Sequence, residues 1–68
     1  MEKITLKAAR VNANLTQTEA AVKLDVSRDT ISNWEKGKSA PSATKLKEIE
    51  RVYGVKYDNI KFLTKRYA

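Results

Sequence analysis

The sequence predicts a small all-α domain of five helices. Apolar residues recur at spacings of three and four along most of the chain, the pattern of helices with one buried face. Strand signals are weak, and turn signals are sparse, because the 68 residues include only two Gly and one Pro. A chain of this length holds one domain with a modest core, so residues 1–68 are taken as a single unit.

The first two helices are predicted from the residues that begin and end them. Helix 1 is expected from about Thr5 to Ala13, followed by Asn14 as a left-handed cap. Helix 2 opens with a capping box, in which the Thr16 hydroxyl and the Glu19 side chain each bond the other residue's backbone N–H. It continues through Leu24.

The remaining helices are predicted from the same kinds of starting and ending residues. Ser27 is a good N-cap for helix 3, from Arg28 to about Lys36, and Gly37 ends it. Helix 4 starts at 41–42 and closes at Gly54, and a short fifth helix is expected over 57–63. The residues expected on the buried faces are Leu6, Ala9, Ala13, Ala20, Ala21, Leu24, Ile31, Trp34, Ala43, Leu46, Ile49 and Tyr53.

The charge of the chain favours a nucleic-acid partner without locating its site. Fourteen Lys and Arg against eight Asp and Glu give a net charge of +6, and the pI is near 9.8. A basic surface of this kind is typical of nucleic-acid binders, although it also keeps a small protein soluble. Residues 1–24 carry +4 − 2 = +2, residues 25–41 carry +3 − 3 = 0 and residues 42–68 carry +7 − 3 = +4.

Residue types that the chain lacks argue against several functions. There is no Cys and no His, so thiolate metal sites, disulfides and the commonest general base are excluded. No apolar run reaches the length of a membrane span, and the N-terminus lacks the apolar core of a signal peptide. We therefore expect a cytoplasmic protein with no cofactor, no metal, no membrane contact and no enzymatic activity.

The most informative feature is a pair of short helices, over 17–24 and 28–36, joined by three residues. So tight a connection makes the helices cross steeply and requires a small side chain, Ala21, where they approach. Together with Gln17, Ile31 and Trp34, this gives the spacing of a helix-turn-helix over 17–36. The outward face of its second helix, the surface such helices present to base edges, then carries Arg28, Asp29, Ser32 and Asn33.

Three stretches of the chain closely resemble the phage repressor and Cro family of helix-turn-helix proteins, the XRE type of transcriptional regulator. They are residues 15–21 (LTQTEAA), 31–38 (ISNWEKGK) and 41–42 (PS). The resemblance runs from about Leu6 to Leu63, and it implies a compact five-helix domain of the lambda-repressor-like type. It departs from the family at two turns, where Asp25 and Asn14 stand in place of the usual Gly. Both residue types tolerate positive φ better than most.

The resemblance also implies residue roles. The third helix would lie in the major groove, with bases read by Arg28, Asp29, Ser32 and Asn33. Phosphate contacts would come from the start of helix 2 and from both ends of helix 3, at Gln17, Ser27, Lys36, Lys38 and Ser39. An ion pair would join helix 1 to the end of helix 3, between Arg10 and Glu35. A homodimer on DNA would form through Ala40, Tyr57, Ile60 and Phe62.

Several of these roles have plainer alternatives. Arg28 suits guanine but could be solvated or bind phosphate, and Asp29 could accept from cytosine or orient Arg28 at the helix N-terminus. Asn33 suits adenine but could be an ordinary exposed polar residue. Arg10 and Glu35 could be separate surface charges. The basic residues Lys61, Lys65 and Arg66 could reach phosphate or form a solvated tail.

The function predicted from these features is that of a small Cro-like repressor, which binds palindromic operator half-sites in double-stranded DNA in a bacterial cell. No small-molecule ligand is expected, because the whole chain is used as the DNA reader. The alternative is an antitoxin or accessory module that binds DNA as part of a protein complex.

Overall fold

The computed structural model describes residues 3–62, and its architecture is four α-helices closed by one short pair of strands. The elements are β1 (Ile4–Thr5), α1 (Leu6–Asn12), α2 (Gln17–Leu24), α3 (Arg28–Lys36), α4 (Ala43–Tyr53), a 3₁₀ turn (Tyr57–Asn59) and β2 (Ile60–Lys61). The strands pair in parallel, with Ile4 opposite Ile60 and Thr5 opposite Lys61. The predicted helical fold is therefore correct for most of the described chain.

Each of the four helices begins at a hydroxyl side chain. Thr5, Thr16, Ser27 and Ser42 each accept a hydrogen bond from the backbone N–H three residues later. This satisfies one of the N–H groups that a helix start leaves without a partner. At α2 the reciprocal bond is also present, from the Thr16 N–H to Glu19 Oε1 at 2.9 Å, so the predicted capping box is formed.

Left-handed residues end the first three helices. Asn14, Asp25 and Gly37 have φ of 62°, 57° and 79°. In each case the next residue's N–H bonds the carbonyl five positions back, as from Val26 to Ala21 at 3.0 Å. This backbone bond satisfies a carbonyl at the helix end and turns the chain sharply.

The predicted fifth helix over 57–63 is wrong for its described part. The chain makes one 3₁₀ turn over Tyr57–Asn59 and then extends into β2. Lys56, at the start of this turn, offers no side-chain cap, and Ile60 has the extended angles φ −102° and ψ 129°. Pairing with β1 therefore satisfies backbone groups that a short, uncapped helix would leave open. Leu63 lies outside the described residues.

The core lies where the four helices and β2 converge. Its buried apolar residues are Leu6, Ala9, Ala20, Ala21, Leu24, Ile31, Trp34, Ile49, Tyr53 and Ile60. Three residues predicted on buried faces are more accessible, since Ala13 and Leu46 are half-buried and Ala43 is exposed. Conversely, Ile60 is only 3% exposed, so the prediction that it contacts a partner chain is wrong: this side chain fills the domain's own core.

Candidate nucleic-acid interface

The second helix of the pair, α3, separates a buried stripe from an accessible one. Ile31 and Trp34 are buried in the core cluster, which anchors the helix in the core. Arg28 and Asp29 are exposed at its first turn. Ser32 and Asn33, one turn further along, are half-exposed. All four predicted base-reading residues thus lie at the accessible surface of α3.

The turn between α2 and α3 is as tight as the sequence predicts. Asp25 adopts the left-handed conformation, and its N–H donates to the Val22 carbonyl oxygen at 3.2 Å. Ser27 then caps α3, its Oγ accepting from the Thr30 N–H at 3.1 Å and lying 2.9 Å from Thr30 Oγ1. Ser27 is exposed, so its hydroxyl is both the helix cap and part of the surface at the start of α3.

The residues predicted to contact phosphate lie at the start of α2 and at the two ends of α3. Lys36, Lys38 and Ser39 are exposed where α3 ends. The Lys38 N–H is fixed by a bond to the Asn33 carbonyl oxygen at 2.9 Å, so the chain leaves α3 on a defined path. Gln17 is the first residue of α2 and is half-buried.

Arg10 and Glu35 form a buried ion pair. Arg10 Nε and Glu35 Oε2 are 2.6 Å apart, and the two side chains are only 8% and 5% exposed. Arg10 Nη2 also donates to Glu35 Oε1 at 3.2 Å, which makes the contact bidentate. The hydrogen bond to Glu35 raises the pKa of Arg10 above its ordinary value, in spite of the opposing effect of burial.

The sequence did not indicate three other features of this region. Gln17 Nε2 donates to Glu35 Oε1 at 3.0 Å, and Arg10 Nη1 donates to the Leu15 carbonyl oxygen at 2.7 Å. Lys45 Nζ donates to the Leu24 carbonyl oxygen at 2.6 Å, across 21 positions of the chain. No spacing rule could have found the contacts of Gln17 with Glu35 and of Lys45 with Leu24, because they join elements that only the folded chain brings together.

The other three residues predicted to contact a partner chain lie together. Ala40, Tyr57 and Phe62 line a shallow groove of about 190 Å³ together with Pro41 and Leu46. Tyr57 is 50% exposed, although its N–H is held by Glu50 Oε2 at 2.8 Å. The groove is mostly apolar and open to solvent.

Clusters of metal-ligating side chains and membrane-spanning helices are both absent from residues 3–62. No group of three metal-ligating side chains comes together in this part of the chain. None of its helices has the length and apolar character that crossing a membrane requires.

α2, the short turn and α3 together form a helix-turn-helix, a unit that binds DNA. Its second helix is capped, is anchored in the core by Ile31 and Trp34, and carries polar residues on its outward side. The family profile described as helix-turn-helix matches residues 6–60. The chain belongs to this family, in its XRE or Cro-like branch, whose members are DNA-binding transcription regulators.

Three relatives illustrate the range of lengths in the family. The HTH-type transcriptional activator BcrR of Enterococcus faecalis is 42% identical over 55 residues, which are 81% of this chain and 27% of that protein. An HTH-type transcriptional regulator of Methanocaldococcus jannaschii is 47% identical over 55 residues, 81% of this chain and 83% of that protein. The HTH-type transcriptional regulator ImmR of Bacillus subtilis is 38% identical over 53 residues, 78% of this chain and 42% of that protein. The chain thus spans about a quarter of BcrR and most of the archaeal protein.

Proposed function

We propose that the protein is a sequence-specific regulator that reads double-stranded DNA through α3 in the major groove. The observation that carries the proposal is the division of α3 into a buried stripe, Ile31 and Trp34, and an accessible one that begins at Arg28. The accessible stripe offers a cationic fork, a carboxylate, a hydroxyl and an amide. These are groups that discriminate base edges by hydrogen bonding.

Phosphate contacts on either side of α3 would hold it in register. Lys36 and Lys38 supply charge at its end, and Gln17 supplies a neutral amide at the start of α2. Ser27, at the start of α3, and Ser39, beyond its end, supply hydroxyls. Contacts of this kind position a protein on the duplex without reading its sequence.

Two copies of the chain would bind a partly palindromic operator. The groove lined by Ala40, Tyr57 and Phe62 is an apolar surface that a second copy would cover. It is small, and Ile60 is taken up by the core, so a dimer in the absence of DNA would be weak. Pairing on DNA would then come largely from both copies binding adjacent half-sites.

Selection of bound sites from random double-stranded DNA, followed by footprinting, tests this proposal. The expected result is an inverted repeat whose half-sites lie about one helical turn, ~34 Å, apart. Occupation of a single asymmetric half-site by one chain at full affinity would overturn the two-fold arrangement. Failure to enrich any sequence would overturn sequence-specific binding itself.

Repression is the proposed outcome of that binding, through competition for a promoter. Because BcrR is named an activator, the direction of control needs its own test. In a reporter assay, an operator placed across a promoter should lower expression as the protein is induced. Increased expression from an operator upstream of the promoter would contradict repression while leaving DNA binding intact.

A further inference from the structure

The Gln17 side chain is hydrogen-bonded to the buried carboxylate of Glu35. Gln17 Nε2 donates to Glu35 Oε1 at 3.0 Å, and the same oxygen accepts from Arg10 Nη2 at 3.2 Å. The other carboxylate oxygen accepts from Arg10 Nε at 2.6 Å. Since Arg10 also bonds the Leu15 carbonyl oxygen, at 2.7 Å, one network joins α1, the loop before α2, the start of α2 and the end of α3.

Hydrogen-bond chemistry determines how this network orients Gln17. An ionised carboxylate can only accept, so the NH₂ group of the amide must face Glu35. That bond uses one of the two N–H groups, which leaves the second for another acceptor, such as a phosphate oxygen. A glutamine fixed in this way has lost its side-chain freedom before DNA arrives, so less entropy is lost on binding.

The charge of Glu35 would oppose this arrangement if it stood alone. A carboxylate behind the amide would repel an approaching phosphate, and the repulsion would be poorly screened because Glu35 is buried. The bidentate contact with Arg10 supplies the opposite charge at 2.6 Å. The pair can therefore orient Gln17 while presenting little net charge to the DNA.

We propose that Glu35 is a positioning residue for DNA binding, which orients the Gln17 amide toward a backbone phosphate, and that Arg10 neutralises its charge. This inference rests on the proposed function, and specifically on a phosphate contact by Gln17. It assigns the ion pair a role in binding as well as in packing α1 against α3.

A double-mutant cycle on DNA affinity tests the inference, with Gln17→Ala, Glu35→Gln and the double variant. Gln17→Ala should weaken binding about tenfold per half-site, equally on an operator and on a scrambled duplex, because a phosphate contact carries no sequence information. Gln17 is uncharged, so the slope of log K against log salt should not change. Glu35→Gln removes the charge and replaces one of the two accepting oxygens with an NH₂ donor, so Arg10 and Gln17 can no longer both keep their bonds, and it should give most of the same loss. The double variant should be no weaker than Gln17→Ala.

General electrostatics predicts the opposite sign for Glu35→Gln, which makes the test sharp. Removing one negative charge should tighten binding of a basic protein to DNA. Asp58→Asn is the matched control, because it removes the same charge at an exposed residue outside the Gln17 network and should leave affinity equal or slightly higher. If Glu35→Gln behaves like Asp58→Asn, or if the two losses multiply in the double variant, the positioning role is wrong.

A second variant covers the case in which Glu35→Gln does not fold because Arg10 is left without its partner. Apolar replacement of both members of a buried pair is often neutral or stabilising, so Arg10→Met/Glu35→Met should remain folded. It should show the same loss of affinity, and the Gln17 side-chain NH₂ should exchange with solvent faster in the free protein, as measured by NMR. Unchanged affinity in this folded variant would overturn the proposal.

Three failures remain distinguishable. If the wild type does not bind the operator, the proposed function fails. If it binds but Gln17→Ala has no effect, the Gln17 contact is wrong. If Gln17→Ala weakens binding and the Glu35 variants do not, the positioning inference alone is overturned.

Discussion

Lys45 Nζ lies 2.6 Å from the carbonyl oxygen of Leu24, so a side chain of α4 caps the C-terminal end of α2. The last carbonyls of a helix have no partner within the helix, and a cation there also interacts favourably with the helix dipole. Lys45 Nζ is further held by Glu48 Oε1 at 3.1 Å. The bond fixes α4 to the turn that precedes α3.

Lys45→Met should lower the free energy of unfolding by about 1 kcal/mol, because it removes a partly buried hydrogen bond from a charged donor while keeping the apolar stem. Chemical denaturation measures the change. Lys47→Met, two positions away on the same helix, is exposed and removes the same charge, so it should have little effect. Equal destabilisation in both variants would mean that net charge, and not the bond to Leu24, is responsible.

Asp25→Gly and Asn14→Gly should each raise the melting temperature. Both residues have positive φ, at 57° and 62°, and glycine removes the steric cost of that conformation. The gain should be a fraction of the ~1–2 kcal/mol that left-handed geometry costs an L-residue, since glycine also loses more entropy on folding. Asp25→Ala is the control, because it keeps the Cβ and should not stabilise. A lower melting temperature for both glycine variants would show that the native side chains stabilise these turns.

Tyr53→Phe should stabilise the protein by about 1 kcal/mol, because it removes a buried hydroxyl that has no hydrogen-bond partner. Tyr53 is 6% exposed, and its Oη is the one buried side-chain polar atom without a partner among residues 3–62. Tyr57→Phe, at a half-exposed ring, should be nearly neutral by the same thermal melt. A destabilised Tyr53→Phe variant would indicate that a bound water or another group satisfies this hydroxyl.

The Tyr53→Phe variant and the wild type should separate further at high pH. Burial, and then the charge of Glu35, raises the pKa of Tyr53 to about 12 from its ordinary value near 10. A raised pKa means that the folded state favours the neutral phenol. The contribution of Tyr53 protonation to the free energy of unfolding is therefore fully present below pH 10 and is lost as pH rises toward 12. The stability difference between Tyr53→Phe and the wild type should therefore widen between pH 10 and 12. A constant difference would contradict the raised pKa.

The Arg28→Ala and Lys38→Ala variants should change DNA affinity in different ways. Lys38→Ala should weaken operator and scrambled duplex alike, and should flatten the slope of log K against log salt by about one unit for each phosphate that Lys38 neutralises. Arg28→Ala should cost the operator about 1–3 kcal/mol and relax the preference at one base pair per half-site, with less effect on scrambled DNA. Both variants are measured across a salt series. If Arg28→Ala weakens both duplexes equally, it binds phosphate, and base reading must come from Asp29, Ser32 or Asn33.

How well the sequence predicts a structural feature depends on how far apart along the chain the interacting residues lie. Thr16 and Ser27 begin their helices where the sequence predicts, and Asn14 and Asp25 adopt the left-handed conformations expected of them. Each of these features depends on bonds that reach no more than five positions, so the local residue types determine them. The stripe of Ile31 and Trp34 was equally predictable, because burial of one helix face needs only the helical period.

Contacts between distant parts of the chain decided the rest. β2 replaces the predicted fifth helix because β1, more than 50 positions earlier, offers its backbone groups, and this also draws Ile60 into the core. Glu35 faces Gln17 and Arg10 across 18 and 25 positions. The sequence alone determined α1 to α4, including the residues that cap their starts, and which side of α3 is buried, since short-range bonds and one repeating period fix these. Only the packing of the helices brought the Glu35 carboxylate within hydrogen-bond distance of Gln17, because the spacing of residues along the chain does not determine the directions and distances between helices.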